Sequence, residues 1–295
     1  MRQIAVISGK GGTGKTSLAA ALASIMPGKV IADCDVDAAD MHLLLAPRVE
    51  RREIFAGGQK AHIDGGKCDS CGCCRGLCRF DAISRDFIVD GFSCEGCGVC
   101  VWNCPKDAIA LQEDESGEWY VSATRCGPMV HARLGPGQEN SGKLVALVRN
   151  EAKKLAGERD LGYVLIDGPP GVSCPVMASL TGVDAAIIVT EPTMSGLHDL
   201  GRISDLLERF KVPGFACINK YDINPDQADR IANVCERRGM HVLGRLPYDP
   251  AVTKAMIDGK TIVEYAGDGF VAKNVNSMWE RLRGFLAGHG RSKES

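Results

Sequence analysis

Two groups of residues in this chain have the types and spacing to do chemistry. The first is a glycine-rich run from Gly9 to Thr16, which reads GKGGTGKT and follows a short apolar stretch. The second is a set of eight cysteines between Cys68 and Pro105, arranged as two C-x2-C-x2-C-x3-C runs. The first pattern is typical of a nucleoside triphosphate site, and the second is typical of two iron–sulfur clusters. Few functions need both, so the pair is more informative than either pattern alone.

The glycine-rich run predicts a phosphate-binding loop. Its backbone N–H groups and the N-terminus of the helix that follows can bind phosphate oxygens. In such a loop Lys15 reaches the β- and γ-phosphates, and the Thr16 hydroxyl ligates Mg²⁺. ATP and Mg²⁺ are therefore the expected ligands. The residues expected to surround them are Gly11, Gly12, Thr13, Gly14, Lys15, Thr16 and Ser17.

The cysteine runs have the spacing of a bacterial ferredoxin. In that pattern the first three cysteines of a run serve one [4Fe–4S] cluster and the fourth serves the other. The expected quartets are Cys68, Cys71, Cys74 and Cys104 for the first cluster, and Cys94, Cys97, Cys100 and Cys78 for the second. Zinc is the alternative, because C-x2-C pairs also suit zinc, but three close cysteines and a fourth, found twice, favour iron. Arg79 stands where Pro105 follows the second run, and Cys73 is an extra thiol, expected to be a bystander.

Three aspartates follow predicted strands. Asp33 and Asp35 come after the second strand, and Asp167 ends a later one. In open α/β sheets, ligands bind beyond the carboxyl ends of the strands, so these carboxylates are expected near the phosphate loop. Helix capping is the alternative role for any single aspartate, and it is the one favoured for Asp37 and Asp40.

These residues need a scaffold, and the apolar pattern predicts one. The expected strands are near Gln3–Ser8, Lys29–Asp33, Tyr163–Asp167, Ala185–Thr190, Gly214–Asn219 and His241–Leu246. The expected helices are Lys15–Ile25, Lys143–Ala156, Leu197–Phe210, Asp226–Arg238 and Pro250–Asp258. Alternating strands and helices, with nearly continuous apolar strands, predict an α/β fold with a doubly wound, mostly parallel sheet.

The strand–helix alternation breaks between about Lys60 and Val121, where the sequence becomes rich in cysteine and glycine. The first cysteine run recurs 26 positions later as the second, and Asp81-Ala82-Ile83 recurs at the same offset as Asp107-Ala108-Ile109. A duplicated half-domain accounts for this repeat. We therefore expect an inserted ferredoxin-like α+β domain at 61–121, between the two parts of the nucleotide-binding domain at 1–60 and 122–295.

Composition excludes several classes of function. With 295 residues, a formal net charge of −2 and a pI near 6.3, the chain has no general attraction for nucleic acid. We find no signal-peptide pattern and no apolar run long enough for a membrane span, so we expect neither secretion nor membrane insertion. Fourteen cysteines in such a chain favour metal binding in a reducing compartment over disulfides. The expected location is cytoplasmic.

Lys10, directly after the first glycine of the loop, makes the resemblance specific. The run Lys10–Thr16 resembles the deviant phosphate loop of the MinD/ParA/Mrp ATPases and the nitrogenase iron protein. The whole chain resembles MinD/Mrp-like ATPases with an inserted ferredoxin domain that carries two [4Fe–4S] clusters. In that group the extra lysine contacts the phosphates bound by the partner subunit. The resemblance therefore implies an ATP-sandwich dimer, either a homodimer or a heterodimer with a related ATPase, with Lys10, Lys15 and Asp35 as catalytic residues.

The same resemblance assigns roles to further residues. Asp33 and Asp167 would hold Mg²⁺-bound water, and Asp35 would orient the attacking water. Gly171 would sense the γ-phosphate. The adenine side is expected at Asn219, Pro247 and Tyr248.

The remaining thiols suggest one further site. Cys34, Cys217 and Cys235 lie in or beside apolar runs and are expected to be buried. Cys174 follows Asp167 by seven residues, a point at which the nitrogenase iron protein has a cysteine that bridges a cluster between subunits. Cys126 is the second candidate for such a bridging site, and ordinary thiols are the alternative. The C-P-x-C motif of Mrp-type carriers is absent.

Three functions remain open from the sequence. The first is an ATP-switched electron carrier that reduces a metalloprotein partner through its clusters. The second is a carrier or assembly factor for iron–sulfur or mixed-metal clusters. The third is a MinD-like positioning ATPase that uses its C-terminal stretch, Val275 to Leu286, on membranes. The helical spacing of that stretch favours packing against the protein over membrane contact.

Overall fold

The computed structural model describes residues 1–135 and 141–288. The chain forms two compact units. One, here called the sheet unit, contains Met1–Arg52, Trp119–Ala132 and the segment that begins at Ser141. The other, here called the cysteine unit, contains Glu53–Glu118 and the short segment that begins at Arg133.

The described residues form one sheet of nine strands. They are β1 (Arg2–Ser8), β2 (Lys29–Asp33), β3 (Arg48–Ile63), β4 (Ile109–Thr124), β5 (Gly127–Leu134), β6 (Tyr163–Pro170), β7 (Ala185–Thr190), β8 (Gly214–Asn219) and β9 (His241–Leu246). Their order across the sheet is β3-β4-β5-β2-β6-β1-β7-β8-β9. Every neighbouring pair from β5 to β9 is parallel. A turn of two residues joins β4 to β5, a connection that only antiparallel neighbours allow.

Helices follow most of the parallel strands. They are α1 (Lys15–Ile25), α2 (Met41–Leu45), α3 (Cys73–Leu77), α4 (Val99–Trp102), α5 (Ser141–Glu158), α6 (Cys174–Leu180), α7 (Met194–Phe210), α8 (Pro225–Arg237), α9 (Pro250–Ile257), α10 (Ile262–Tyr265) and α11 (Phe270–Gly288). On one face of the sheet, α1, α10 and α11 share a core with alternate strand residues such as Ile4, Ile31 and Ile187. On the other face, α5, α6 and α7 contact β2, β6 and β7. The architecture is thus α/β with helices on both faces, as predicted.

The central strands form where the sequence is continuously apolar. Every residue of β2 and β7 is buried, as expected for strands covered on both faces. The observed bounds of β2, β7, β8 and β9 coincide with the prediction, while β6 continues to Pro170. Helix starts are fixed by side-chain caps. The Thr193 hydroxyl accepts from the Gly196 N–H, and Thr261 forms a capping box with Glu264.

The sequence interpretation omitted β3, β4 and β5. The first seven residues of β3 are all exposed and most of them are charged, because β3 is the edge strand of the sheet. An exposed edge strand has neither the continuous apolar run nor a clean alternation, so the pattern of hydrophobic residues does not reveal it. The strands that enter and leave the cysteine-rich segment were therefore missed.

The C-terminal stretch forms α11 and packs against the sheet unit. Val275, Met278, Trp279 and Leu282 are buried in the main core. This confirms packing against the protein rather than an apolar face left open for a membrane. In the described part of the chain, no helix is long and apolar enough to cross a membrane.

The cysteine unit has a small core of its own, built from Ala61, Cys74, Ile83 and Ile109. The 26-residue repeat is visible in its backbone. Ser70 and Gly96, Gly72 and Gly98, and Asp81 and Asp107 form three equivalent pairs that all have positive φ.

Equivalent backbone hydrogen bonds join the two halves of the cysteine unit in both directions. The Asp64 N–H donates to the Ala108 carbonyl at 2.8 Å, and the equivalent Asp90 N–H donates to the Ala82 carbonyl at 2.7 Å. The two repeats therefore pair reciprocally, as a pseudo-twofold arrangement requires.

Candidate functional site

The phosphate loop connects β1 to α1 at the carboxyl edge of the sheet. Gly14 has φ 88° and precedes Lys15, the first residue of α1. A Cβ at Gly14 would lie 2.5 Å from Nδ2 of Asn219, so only glycine fits there. The Asn219 amide donates to the Thr13 carbonyl at 2.8 Å. Since no side chain caps α1, its first N–H groups are available to an anion.

Lys15 lies among carboxylates. Its Nζ is 2.8 Å from Oδ1 of Asp167 and 3.3 Å from Oδ2 of Asp35. It also lies 3.3 Å from the Thr16 hydroxyl. Burial alone would lower the pKa of Lys15, but the charges of Asp167, Asp35 and Asp33 raise it above the ordinary lysine value. Lys15 is therefore a fixed positive charge at the centre of the site.

Asp33 and Asp167 face each other across β2 and β6, where they are register partners. Both are buried, and Oδ2 of each lacks a hydrogen-bond partner among the residues that the structure describes. Burial and the nearby charge of Asp167 hold the pKa of Asp33 well above the usual carboxyl range. Two unpartnered buried carboxylate oxygens are donors that suit a hydrated Mg²⁺ ion, and Lys15 contacts both Asp167 and the Thr16 hydroxyl.

Asp35 lies two residues after Asp33 and, unlike Asp33 and Asp167, lines the cavity above the phosphate loop. Burial raises the pKa of its carboxyl, although Lys15 acts in the opposite direction. A carboxylate of raised pKa is a better proton acceptor than a free one. Asp37, for which capping was favoured, lies in the turn before α2, and Asp40 is the residue before α2 without a side-chain cap hydrogen bond.

The cavity above the loop has a volume of about 510 Å³, within the range typical of small-ligand sites. Asn219, Pro247 and Tyr248 line it together with the loop. Ser17, in the first turn of α1, donates to the Met256 sulfur at 3.5 Å. The sequence interpretation missed the part of the lining that comes from α9, α10 and α11, because most of those residues are apolar and belong to no recognisable motif. They include Val252, Thr253, Met256, Ile262, Val271 and Val275.

Lys10 and Gly171 stand apart from this cavity. Lys10 is about half-exposed, and its Nζ lies 3.4 Å from the Ser195 hydroxyl and 3.7 Å from a Glu191 carboxylate oxygen. The Gly171 N–H donates to the Ser8 carbonyl at 2.8 Å, so this amide is already occupied. Pro170, its neighbour, lines the cavity.

The eight cysteines of the two runs divide between two cavities. Cys78, Cys94, Cys97 and Cys100 line one of them, together with Phe80 and Val89. The other is lined by Cys68, Cys71, Cys74 and Cys104, with Cys73, Phe87 and Ile109. Each cavity thus has the three cysteines of one run and the fourth cysteine of the other run.

Backbone amides point at two of these sulfurs. The Ala61 N–H donates to Cys94 Sγ at 3.5 Å, and the Ala108 N–H donates to Cys104 Sγ at 3.3 Å. Four thiols, apolar walls and N–H donors to sulfur form a donor set that suits a [4Fe–4S] cluster. The described residues contain no group of three or more His, Cys, Asp or Glu side chains placed for a single metal ion.

Cys126 and Cys174 do not come together within the chain. Cys126 is buried in the main core, in the turn before Gly127, whose backbone lies against the start of β2. Cys174 is exposed and begins α6 after the carboxyl end of β6. The two thiols therefore lie at opposite edges of a parallel sheet. Cys34, Cys217 and Cys235 are fully buried, as expected.

Comparison with known proteins identifies the class of protein. Residues 4–262 match the family described as the CobQ/CobB/MinD/ParA nucleotide binding domain, CbiA. The chain belongs to this family of P-loop nucleotide-binding proteins, which confirms the class predicted from Lys10–Thr16.

Individual relatives cover nearly the whole chain. An uncharacterized protein of Methanocaldococcus jannaschii is 33% identical over 287 residues, which are 96% of this chain and 97% of the relative. An iron-sulfur cluster carrier protein of Pyrococcus horikoshii is 27% identical over 303 aligned positions, covering 95% of this chain and 85% of the relative.

Among solved structures, the septum site-determining protein MinD of Pyrococcus horikoshii in complex with Mg-ADP has a similar fold. The TM-score is 0.62 at 19% identity, covering 97% of this chain and 98% of the other. At this identity the similarity establishes the fold alone.

Proposed function

We propose that the chain is an ATP-switched iron–sulfur ATPase that works as a dimer, in which the nucleotide state controls electron transfer from two [4Fe–4S] clusters to a partner metalloprotein. The observation that carries this proposal is the division of the eight cysteines. Two cavities, each lined by three cysteines of one run and the fourth cysteine of the other, occur in the same chain as a phosphate loop.

At the nucleotide site the residues would act in a fixed order. The loop amides and the N-terminus of α1 bind the phosphates. Lys15 then exchanges its contacts with Asp167 and Asp35 for phosphate oxygens, which frees both carboxylates. Thr16, Asp33 and Asp167 would hold Mg²⁺, directly or through water, and the ion would neutralise phosphate charge. Asp35 orients the attacking water and accepts its proton.

Lys10 is proposed to act across the dimer. Its side chain is about half-exposed and, among the described residues, contacts Ser195 and Glu191, so it could extend away from its own subunit. In the closed dimer it would contact the phosphates of the other subunit. The homodimer, and a heterodimer with a related ATPase, both fit this role. Closure of the dimer would also release the Gly171 N–H from the Ser8 carbonyl, so that it could donate to the γ-phosphate.

In the cysteine unit, the two quartets would hold the clusters. When bound, the clusters would supply one-electron storage at low potential. Apolar side chains lie beside each quartet, and the N–H donors to Cys94 and Cys104 would adjust the charge on sulfur.

The test is an anaerobic redox titration followed by electron paramagnetic resonance, with and without Mg-ATP. The wild-type chain is expected to bind about eight irons and to change its midpoint potential or its spectrum when the nucleotide is added. Lys15→Met is the matched control, because it keeps the cysteine unit intact and should lose the response to nucleotide. Iron-free protein, or spectra that are the same with and without nucleotide, would contradict the proposal.

A second candidate is a cluster carrier, which the similarity to the iron-sulfur cluster carrier protein of Pyrococcus horikoshii favours. Here the clusters are cargo. ATP-dependent transfer of iron and sulfide to apo-aconitase would support the carrier. Eight tightly held irons with no transfer would support electron transfer instead.

A further inference from the structure

The two cysteine cavities differ by one thiol. The cavity of Cys68, Cys71, Cys74 and Cys104 is also lined by Cys73. In the second repeat the equivalent position, 26 residues later, is Val99. The first cavity thus has five thiols, and the second has four.

The fifth thiol is next to a proposed ligand. Cys73 follows Cys71 by two residues, and both residues line the same cavity. Cys73 is the first residue of α3, directly after Gly72, whose φ of 80° turns the chain into the helix. Both thiols are exposed, so neither is held in place by surrounding core side chains.

In the second repeat, the position equivalent to Cys73 has no thiol. Val99 begins α4 after Gly98, which has φ 76°, so the backbone is the same as in the first repeat. An isopropyl group cannot bind iron. The described structure therefore offers Cys97 no substitute at the position equivalent to Cys73.

We propose that Cys73 is an exchangeable ligand of the first cluster site, able to replace Cys71 on iron, whereas Cys97 at the second site has no replacement. This inference rests on the proposed function only in requiring that the quartets bind clusters. It makes the first site the labile one and the second site the permanent one.

The exchange conserves atoms and electrons. Cys73 gives up its thiol proton and its sulfur forms a bond to iron. The bond from Cys71 to the same iron breaks, and the released thiolate takes up one proton. No oxidant or reductant is needed.

The experiment compares equivalent substitutions in the two repeats. Iron, acid-labile sulfide and the electron paramagnetic resonance spectrum are measured after anaerobic reconstitution. Cys97→Ala is expected to keep about half of the wild-type iron, and Cys71→Ala to keep nearly all of it. The double variant Cys71→Ala with Cys73→Ala is expected to fall to about half. The double variant Cys97→Ala with Val99→Cys places the extra thiol in the second repeat. It is expected to restore iron binding at the second site.

The outcomes separate this inference from the proposed function. A wild-type chain without iron would contradict the proposed function itself. A loaded wild type in which Cys71→Ala loses as much iron as Cys97→Ala would overturn only the role of Cys73.

A second measurement covers the case in which Cys71→Ala does not fold. Iron release to a chelator is followed in the wild type and in Cys73→Ala, which leaves both quartets complete. Half of the wild-type iron is expected to leave at least several-fold faster than the rest, and Cys73→Ala should abolish the fast phase. Identical release from the two proteins would overturn the proposal.

Discussion

The Lys15 ammonium donates a hydrogen bond to one carboxylate oxygen of Asp167 at 2.8 Å, and both side chains are buried. The second Asp167 oxygen has no hydrogen-bond partner within the described chain. Lys15, which we propose to bind phosphate, thus forms an ion pair with Asp167, which we propose to face the metal ion. Phosphate and Mg²⁺ would therefore compete with this ion pair for Lys15 and Asp167.

Replacement of Asp167 by asparagine tests this coupling. We expect Asp167→Asn to lower ATP hydrolysis by about 100-fold or more, because an amide cannot replace the carboxylate that we propose to face Mg²⁺. The affinity for ATP without Mg²⁺ should be unchanged or higher, since Lys15 no longer has to break an ion pair with the buried carboxylate of Asp167. Phosphate release and the affinity for a fluorescent ATP analogue, with and without Mg²⁺, measure the two effects.

Asp205→Asn is the control, because Asp205 pairs with Arg238 at the surface, away from the cavity. It should hydrolyse ATP at the wild-type rate. If Asp167→Asn still gains affinity on addition of Mg²⁺, the metal does not depend on this carboxylate.

Arg125 should contribute more to stability than a surface ion pair. Its guanidinium donates to Glu264 Oε2 at 2.8 Å, to the Leu44 carbonyl at 2.6 Å and to the Gly259 carbonyl at 3.0 Å. It therefore joins the end of α2, the loop after α9 and the start of α10. A lysine cannot reach three acceptors with one planar group. Arg125→Lys should reduce the free energy of unfolding by about 1–2 kcal/mol, measured by urea denaturation.

Arg283→Lys provides the matched control. Arg283 pairs with Glu280 on the exposed side of α11, and such pairs contribute roughly 0.3–0.5 kcal/mol. Equal losses for the two variants would show that the backbone contacts of Arg125 add nothing.

His131 should make the stability depend on pH. Burial and the nearby His42 lower the pKa of its imidazole to about 4, and its ring bonds to the Ser122 hydroxyl and stacks on Tyr120. Between pH 6.5 and about 4 the unfolded chain binds a proton that the native chain does not. Stability should therefore fall as the pH decreases through this window, by up to about 2 kcal/mol from this residue.

The check is a comparison of thermal unfolding curves between pH 7 and pH 4. His131→Gln should flatten the pH dependence in this window relative to wild type, since glutamine can still bond to Ser122 but does not titrate. His198→Gln, whose histidine lies at the surface, should follow the wild-type profile. Parallel curves for His131→Gln and wild type would mean that His131 takes up its proton equally in both states.

The sequence was most informative where chemistry or burial leaves few options. A phosphate loop, a strand buried on both faces and a thiolate cluster site each accept few residue types, so each is recognisable from the sequence. The bounds of β2, β7 and β8 followed from their continuous apolar runs. The edge strand β3 and the apolar cavity lining from α9 to α11 did not follow. An exposed edge has no periodic signal, and Val271 or Val275 differ from ordinary core residues only through their tertiary position.

The repeat in the cysteine unit provides a last prediction, on backbone conformation. Gly96 and its equivalent Ser70 both have positive φ, at 62° and 60°. A Cβ at Gly96 would lie 2.0 Å from the Gln59 carbonyl oxygen, whereas Ser70 already carries a Cβ. Gly96→Ala should therefore destabilise the unit by more than about 2 kcal/mol and reduce the iron bound at both sites. Ser70→Ala should retain wild-type iron and stability, because it adds no atom. Iron content after anaerobic reconstitution and urea unfolding of the two variants measure the difference, and full iron content in Gly96→Ala would contradict the steric argument.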